Sequence, residues 1–146
     1  MYAQTGEVEI TGSERTVSVL SQYLVGFRKF FQDFDNVRAA FKRMIELEPR
    51  CTAAHMKLGI LYILNGKDRQ GLKALAEAEK LAPGDAEIYY ATGTAYYNLG
   101  DRDPMGPSSP YYQKSFDFFK KATAASPVYA DAYWGMGSAL YKMGKY

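Results

Sequence analysis

The stretch HMKLGILYILNG at residues 55–66 returns in kind as YYATGTAYYNLG at 89–100 and as YWGMGSALYKMG at 133–144. Gly59, Gly93 and Gly137 stand 34 and then 44 residues apart, as do Tyr62, Tyr96 and Leu140, and Gly66, Gly100 and Gly144. The residues between these stretches keep the same intervals: Phe41, Leu75 and Phe119; Met44, Ala78 and Ala122; Pro49, Pro83 and Pro127. One insertion of ten residues accounts for every 44. A period of this size marks a solenoid of helix-turn-helix units, none of which can bury its apolar face without a neighbour.

The spacing inside each unit agrees. Leu58, Gly59 and Tyr62 share one helical stripe, as do Leu72, Leu75, Ala78 and Glu79 on the following helix. Small residues at Gly59, Gly93, Gly137, Ala78 and Ala122 let helix backbones approach, and Tyr62, Tyr96, Phe41 and Phe119 fill the space beside them. Pro49, Pro83 and Pro127 end the second helices, because proline disfavours helix at the residue before it and lacks a donor. Asn65-Gly66 and Leu99-Gly100 are expected to end the first helices.

In this register the chain resembles the tetratricopeptide repeat family, whose 34-residue pattern is W-x2-L-G-x2-Y, then A-x3-F, then P. The second unit reads His55, Leu58, Gly59, Tyr62, Gly71, Leu75, Ala78 and Pro83, with His55 in the Trp slot and Gly71 in the Ala slot. The third reads Tyr89, Thr92, Gly93, Tyr96, Ser115, Phe119, Ala122 and Pro127, and a fourth begins with Tyr133, Met136, Gly137, Leu140 and Gly144. The first keeps Leu24, Val37, Phe41, Met44 and Pro49 but has Ser21, Val25 and Arg28 where Trp, Gly and Tyr belong. The resemblance implies an all-α, right-handed superhelix of about three repeats plus a terminal helix. It places repeats near 18–51, 52–85 and 86–129, with the insertion at 101–110, and a partial repeat at 130–146. Together they form one domain over 17–146, preceded by an extension over 1–16 whose Glu7-Val8-Glu9-Ile10-Thr11 alternates like a short strand.

Composition fits a helical domain and narrows its chemistry. With 47% apolar and 23% charged residues in 146, one core is affordable in sequence terms, and a net charge of +2 points to neither nucleic acid nor an anionic membrane. The basic residues Arg28, Lys29, Arg38, Lys42 and Arg43 are nearly cancelled by Asp33, Asp35, Glu46 and Glu48. No apolar run approaches the roughly 20 residues that span a bilayer, and the first residues carry no basic-then-apolar leader. The single Cys51 cannot form an internal disulfide and leans toward a reducing, cytoplasmic setting.

Catalytic patterns are missing. The one His and one Cys, His55 and Cys51, sit four residues apart at a unit junction, too few for a usual zinc site; His55 reads as a packed residue in the aromatic slot and Cys51 as a turn residue. Gly59, Gly66 and Gly71 match no phosphate-binding loop, so no cofactor, no metal and no enzymatic activity are expected.

What remains is surface. The resemblance implies that the first helices line a concave side. Its residues would be Met56, Ile60 and Ile63 in the second unit, Tyr90, Thr94 and Tyr97 in the third, and Trp134, Ser138 and Tyr141 in the fourth. This stripe is poor in charge and rich in rings, with Glu87 and Asp131 at one rim, which suits a peptide or helix of a partner protein. Family members that grip acidic chaperone tails use Lys, Arg and Asn here, where this chain has Gln22, Gly26, Met56, Ile60 and Tyr90, with Lys57 and Asn98 as the polar remnants. An apolar extended partner is the better match. In size and groove character the chain is similar to small three-repeat chaperones of bacterial secretion systems. The alternative is self-association, or recruitment for a longer protein, enzymatic or not, through the last helix over 130–143. The insertion Asp101 to Pro110, with half of the six prolines, is expected to be a loop, and exposed loops can carry recognition.

Overall fold

The computed structural model describes residues 32–145. The alternating segment at 7–11 and the first helix of the first unit lie outside the described residues. The chain divides into two compact units, Met1–Val37 and Arg38–Tyr146. Of the first, residues 32–37 are described and are helical. The second unit is helical throughout. Helix α1 covers residues 38–47 here, followed by α2 (Thr52–Leu64), α3 (Asp68–Leu81), α4 (Ala86–Arg102), a short 3-10 turn (Gly106–Ser108), α5 (Pro110–Ala125) and α6 (Ala130–Lys142). There is no strand among the described residues.

The ends of these helices follow from their sequences. Helices α1, α3 and α5 stop two residues before Pro49, Pro83 and Pro127. Helix α2 ends where Gly66 turns left-handed at φ 74°, so that Lys67 N–H can reach back to the Tyr62 carbonyl at 2.8 Å. Helix α6 ends in the same way: Lys145 N–H donates to Leu140 O at 2.9 Å beyond Gly144. Asp85 caps α4, its carboxylate accepting from Glu87 N–H at 2.9 Å and Ile88 N–H at 3.2 Å. Ser109 caps α5, with Pro110 at the first helical position.

One expected stop does not occur. Gly100 has the register of Gly66 and Gly144, yet α4 runs on to Arg102 and Gly100 is buried inside it. The Tyr112 ring lies against this glycine, so close that a Cβ would come within 2.7 Å of it. The next two residues are held from outside. Asp101 accepts from Tyr112 Oη at 2.7 Å and pairs with Lys142 Nζ at 2.8 Å, while Arg102 pairs with Asp68. The insertion is correspondingly shorter as a loop than 101–110, since 101–102 and 110 are helical and 106–108 form the 3-10 turn. Asp103 fastens it, accepting from Ser109 Oγ at 2.7 Å and from Met105 N–H at 3.0 Å.

Helices next to each other in sequence pack together, α2 on α3, α3 on α4, α4 on α5 and α5 on α6. Helices α2, α4 and α6 also touch in turn, so the first helices of the repeats form one row. The core runs between the rows. Leu75, Ala78, Ile88 and Ala95 are fully buried, with Leu75 pressed onto Gly59. Burying a leucine this completely stabilises the fold by about 1.5–3 kcal/mol. In the next unit the same position is Phe119, pressed onto Gly93, and the buried Ser115 in the small-residue slot donates to Gly93 O at 2.8 Å. Gly137 departs from expectation. No atom stands within 4 Å of the position its Cβ would take, and Gly135 makes the close approach to Phe119 instead. Gly59 and Gly93 each face the second helix of their own unit, and no such helix follows α6 among the described residues.

Candidate functional site

The row of first helices carries two adjoining hollows. The larger, about 320 Å³, lies between α2 and α4 and is lined by Ile60, Ile63 and Leu64 on one side and Glu87, Tyr90, Ala91 and Thr94 on the other, with Tyr129 at its end. The smaller, about 90 Å³, lies between α4 and α6 and is lined by Tyr90, Thr94 and Tyr97, then Trp134, Gly135 and Ser138, with Phe119 beneath. Tyr90 and Thr94 belong to both, so the two hollows form one groove across α4.

Rings set its shape. Tyr90 is tilted against Phe119 at 5.6 Å and against Tyr129 at 5.1 Å, which fixes it from two sides. Tyr97 packs edge-on to Tyr112 at 5.8 Å, and Lys142 Nζ sits 5.6 Å from the Tyr97 ring centre. The Thr94 hydroxyl donates to Tyr90 O at 3.0 Å, so its proton is committed within the helix. Burial raises the Tyr129 hydroxyl above the ordinary tyrosine range, and the carboxylates of Glu87, Asp131 and Asp85 raise it further. That end of the groove therefore has an acidic edge. Glu87 also pairs with Lys57 at 3.8 Å across the groove's rim.

Seven of the nine residues expected to line the groove do so: Ile60, Ile63, Tyr90, Thr94, Tyr97, Trp134 and Ser138. Met56 does not. It is 9% exposed and packs in the core cluster with Leu75, Ile88 and Ala91, a cluster to which the 8% exposed Ile63 also belongs. Tyr141 is 70% exposed and lines neither hollow. The expectation missed Leu64, Ala91, Tyr129, Phe119 and Gly135. Leu64 follows Ile60 by one helical turn and was open to the same spacing argument, whereas Tyr129 lies in the turn before α6 and has no periodic signal. Of the two polar remnants, Asn98 donates to Asp68 Oδ1 at 3.2 Å and Lys57 meets Glu87, so both are engaged within the chain.

At the far end, Tyr97, Asp101, Tyr112 and Lys142 form one network. Burial pushes the Asp101 carboxyl upward, but hydrogen bonds from Lys142 and Tyr112 together outweigh it and leave its pKa below the ordinary value. Burial, then the bond to Asp101, raises the Tyr112 hydroxyl to about 12. A lowered carboxylate stabilises the fold above its unfolded pKa and loses that contribution as pH falls through the folded one. A raised phenol contributes below about pH 10 and loses its contribution as pH climbs toward 12. Melting temperature against pH should fall at both limits, and Asp101→Asn should flatten the acid limb. An acid limb of unchanged steepness in that variant would remove Asp101 from the account.

Among the described residues, no three of His, Cys, Asp and Glu stand together to hold a metal ion, and no helix is long and apolar enough to cross a membrane. His55, in the slot of a packed aromatic, is half-buried, and its Nε2 donates to Pro49 O at 2.9 Å.

The chain is a helical repeat protein with the tetratricopeptide-type fold. No family model matches it, and no curated protein matches it in sequence. Among solved structures it is similar to MamA, with 27% identity and a TM-score of 0.67 over 81% of this chain and 63% of that one. MamA of Desulfovibrio magneticus RS-1, from its residue 41 onward, gives 19% identity and a TM-score of 0.66 over 80% and 60%. PcrH, crystallised with the chaperone-binding region of PopD, gives 16% identity and a TM-score of 0.58 over 94% of this chain and 95% of that one. This chain thus spans about three-fifths of the MamA chains it matches. The low identities of the last two express a common fold.

Proposed function

We propose that this chain is a non-catalytic protein-interaction module whose α2, α4 and α6 receive an apolar segment of a partner. The observation that carries this reading is the continuous groove across α4, walled by aliphatic and aromatic side chains, with Trp134 76% exposed at its edge. Rigid rings give large contact area at small entropic cost, which is why Trp and Tyr dominate binding energy where they line a pocket. The acidic edge at Glu87 and Asp131 favours a basic residue flanking the apolar segment. PcrH, which has this fold, is seen with a segment of PopD, and that pairing supports a peptide as the kind of ligand.

Selection from a random peptide library tests it. Wild type should enrich an apolar or aromatic motif, and Trp134→Ala should weaken the selected peptide about thirtyfold, as a hot-spot truncation of about 2 kcal/mol does. Tyr90→Ala, Trp134→Ala should abolish enrichment while circular dichroism stays helical. Equal enrichment by wild type and the folded double variant would sink the groove.

A second reading has its own observation. The α6 face around Gly137 is open, with Tyr133 and Tyr141 exposed, where the earlier units place a second helix. Self-association, or attachment to more of a longer protein, through this face becomes the leading reading if the groove selects nothing.

A further inference from the structure

Helices α4 and α5 carry between them a ladder of four half-buried rings, in the order Tyr111, Tyr96, Phe118 and Tyr89. Tyr96 is stacked on Tyr111 at 6.2 Å and 22° and on Phe118 at 5.6 Å and 24°, and Phe118 is tilted against Tyr89 at 6.3 Å. Both ends are tied down. Gly84 N–H donates to Tyr89 Oη at 3.1 Å, and Arg69 of α3 donates to Tyr111 Oη at 3.4 Å. On α4, Tyr89 and Tyr96 stand about 100° round the helix from Tyr90 and Tyr97, so the ladder is a separate surface from the groove.

Cations lie along this ladder. Lys121 Nζ is 4.6 Å from the Phe118 ring centre and 5.7 Å from that of Tyr89, and Lys114 Nζ is 5.5 Å from the centre of Tyr96 and 5.9 Å from that of Tyr111. The rings steady both ammonium groups while the side chains stay exposed. None of Arg69, Lys114 and Lys121 forms an ion pair among the described residues. The preceding unit shows the contrast: Glu77, 44 positions before Lys121, pairs with Lys80 at 3.0 Å, whereas the residue three beyond Lys121 is Ala124. Helix α5 has three lysines, and its one carboxylate, Asp117, accepts from Gln113 Nε2 at 3.0 Å. Glu87 and Asp101 of α4 are paired elsewhere, with Lys57 and Lys142.

We propose that this face binds an acidic segment of a partner polypeptide, in which carboxylates three residues apart on an extended chain meet Lys114 and Lys121. The two lysines are seven residues apart, two turns on one stripe of α5 and about 10.5 Å along it. A polyproline-II chain returns every third side chain to the same face after about 9.3 Å, which matches that span. Arg69 extends the positive edge beyond Tyr111. Because the ladder already holds the ammonium groups, binding orders less side chain than it would on a bare helix. A single nucleic-acid strand is also anionic, but it binds by stacking bases on open ring faces, and Tyr96 has a ring on each of its faces.

Titration of the labelled full chain at low salt with end-blocked peptides tests this by nuclear magnetic resonance. Gly-Glu-Gly-Gly-Glu-Gly should shift signals of Tyr96, Lys114, Phe118 and Lys121, and its Gln counterpart should leave them still. Gly-Gly-Glu-Glu-Gly-Gly, of equal charge, should bind about twofold more weakly, since its carboxylates are too close together to meet both lysines. Lys114→Gln, Lys121→Gln, helical by circular dichroism, should weaken the first peptide about fivefold, the size expected for two exposed ion pairs. No shifts in wild type, equal response to the Glu and Gln peptides, equal affinity for the two Glu peptides, or undiminished binding by the folded double variant would each overturn the proposal. So would an oligothymidylate that shifts the same signals at higher affinity than the peptide, which would assign the face to nucleic acid.

Discussion

Phe119→Ala is expected to lower the unfolding free energy by about 3–5 kcal/mol, the range for emptying a buried aromatic site. The ring is 3% exposed and wedged between two helix backbones: a Cβ on Gly93 of α4 or on Gly135 of α6 would come within 2.8 Å of it. Tyr90 lies on it from the groove side. Because two of those walls are helix backbone, side-chain rearrangement can refill the space only from the Tyr90 side, and the cost should sit in the upper half of the range. The same geometry predicts a sign reversal within α6. Gly135→Ala must displace a rigid ring and should cost about 1–3 kcal/mol. Gly137→Ala, two residues on in the same helix, meets open space and should gain about 0.5–1 kcal/mol from lost freedom in the unfolded chain. Urea unfolding of the three variants measures all of this. Like signs for the two glycine variants would show that α6 does not sit on Phe119 as described. Since Phe119 also lies beneath the smaller hollow, a folded Phe119→Ala protein should bind groove peptides more weakly than wild type.

The pattern of glycines marks the limit of what sequence alone conveys. Periodicity placed every second-helix end, because proline acts on its own backbone and needs no partner. Gly66 and Gly144 obeyed the same local logic. Gly100, in identical register, did not, since what keeps α4 going is held by Tyr112, Lys142 and Asp68, residues 12, 42 and 32 positions from it in a chain folded over them. Gly137 and Gly135 were exchanged for a related reason: whether a glycine is a contact depends on which helix crosses it. The groove was legible where the stripe argument applies along one helix, at Tyr90, Thr94 and Tyr97 on α4. It failed at Met56, where α4 covers the flank of α2 with Ile88, Ala91 and Ala95 and draws that side chain into the core.

Arg102→Ala is expected to cost about 3 kcal/mol, although the side chain is half exposed. Asp68 begins α3 with its carboxylate fully buried, where it accepts from Asn98 Nδ2 and is paired with Arg102 Nη1. The same Nη1 donates to Gly66 O at 3.1 Å, at the left-handed turn between α2 and α3. The pair spans 34 residues, one repeat length, and so fastens the end of α4 to the start of α3. Removing the guanidinium leaves a buried carboxylate with one neutral donor and the α3 N-terminus as compensation, a situation that costs about 3–5 kcal/mol in general. The exposed side of Arg102 lets water approach, which places this site at the lower bound. Asp68→Ala should be milder, about 1–2 kcal/mol, because the arginine left behind can turn to solvent while a helix-terminal charge and its hydrogen bonds with Asn98 and Arg102 are lost. The double variant should then be no less stable than Arg102→Ala alone, since the cost lies in the stranded charge and not in the missing attraction. Denaturant unfolding of the cycle at neutral pH decides it: a double variant losing the sum of both single losses would mean that the two residues act independently and that Asp68 is not held by Arg102.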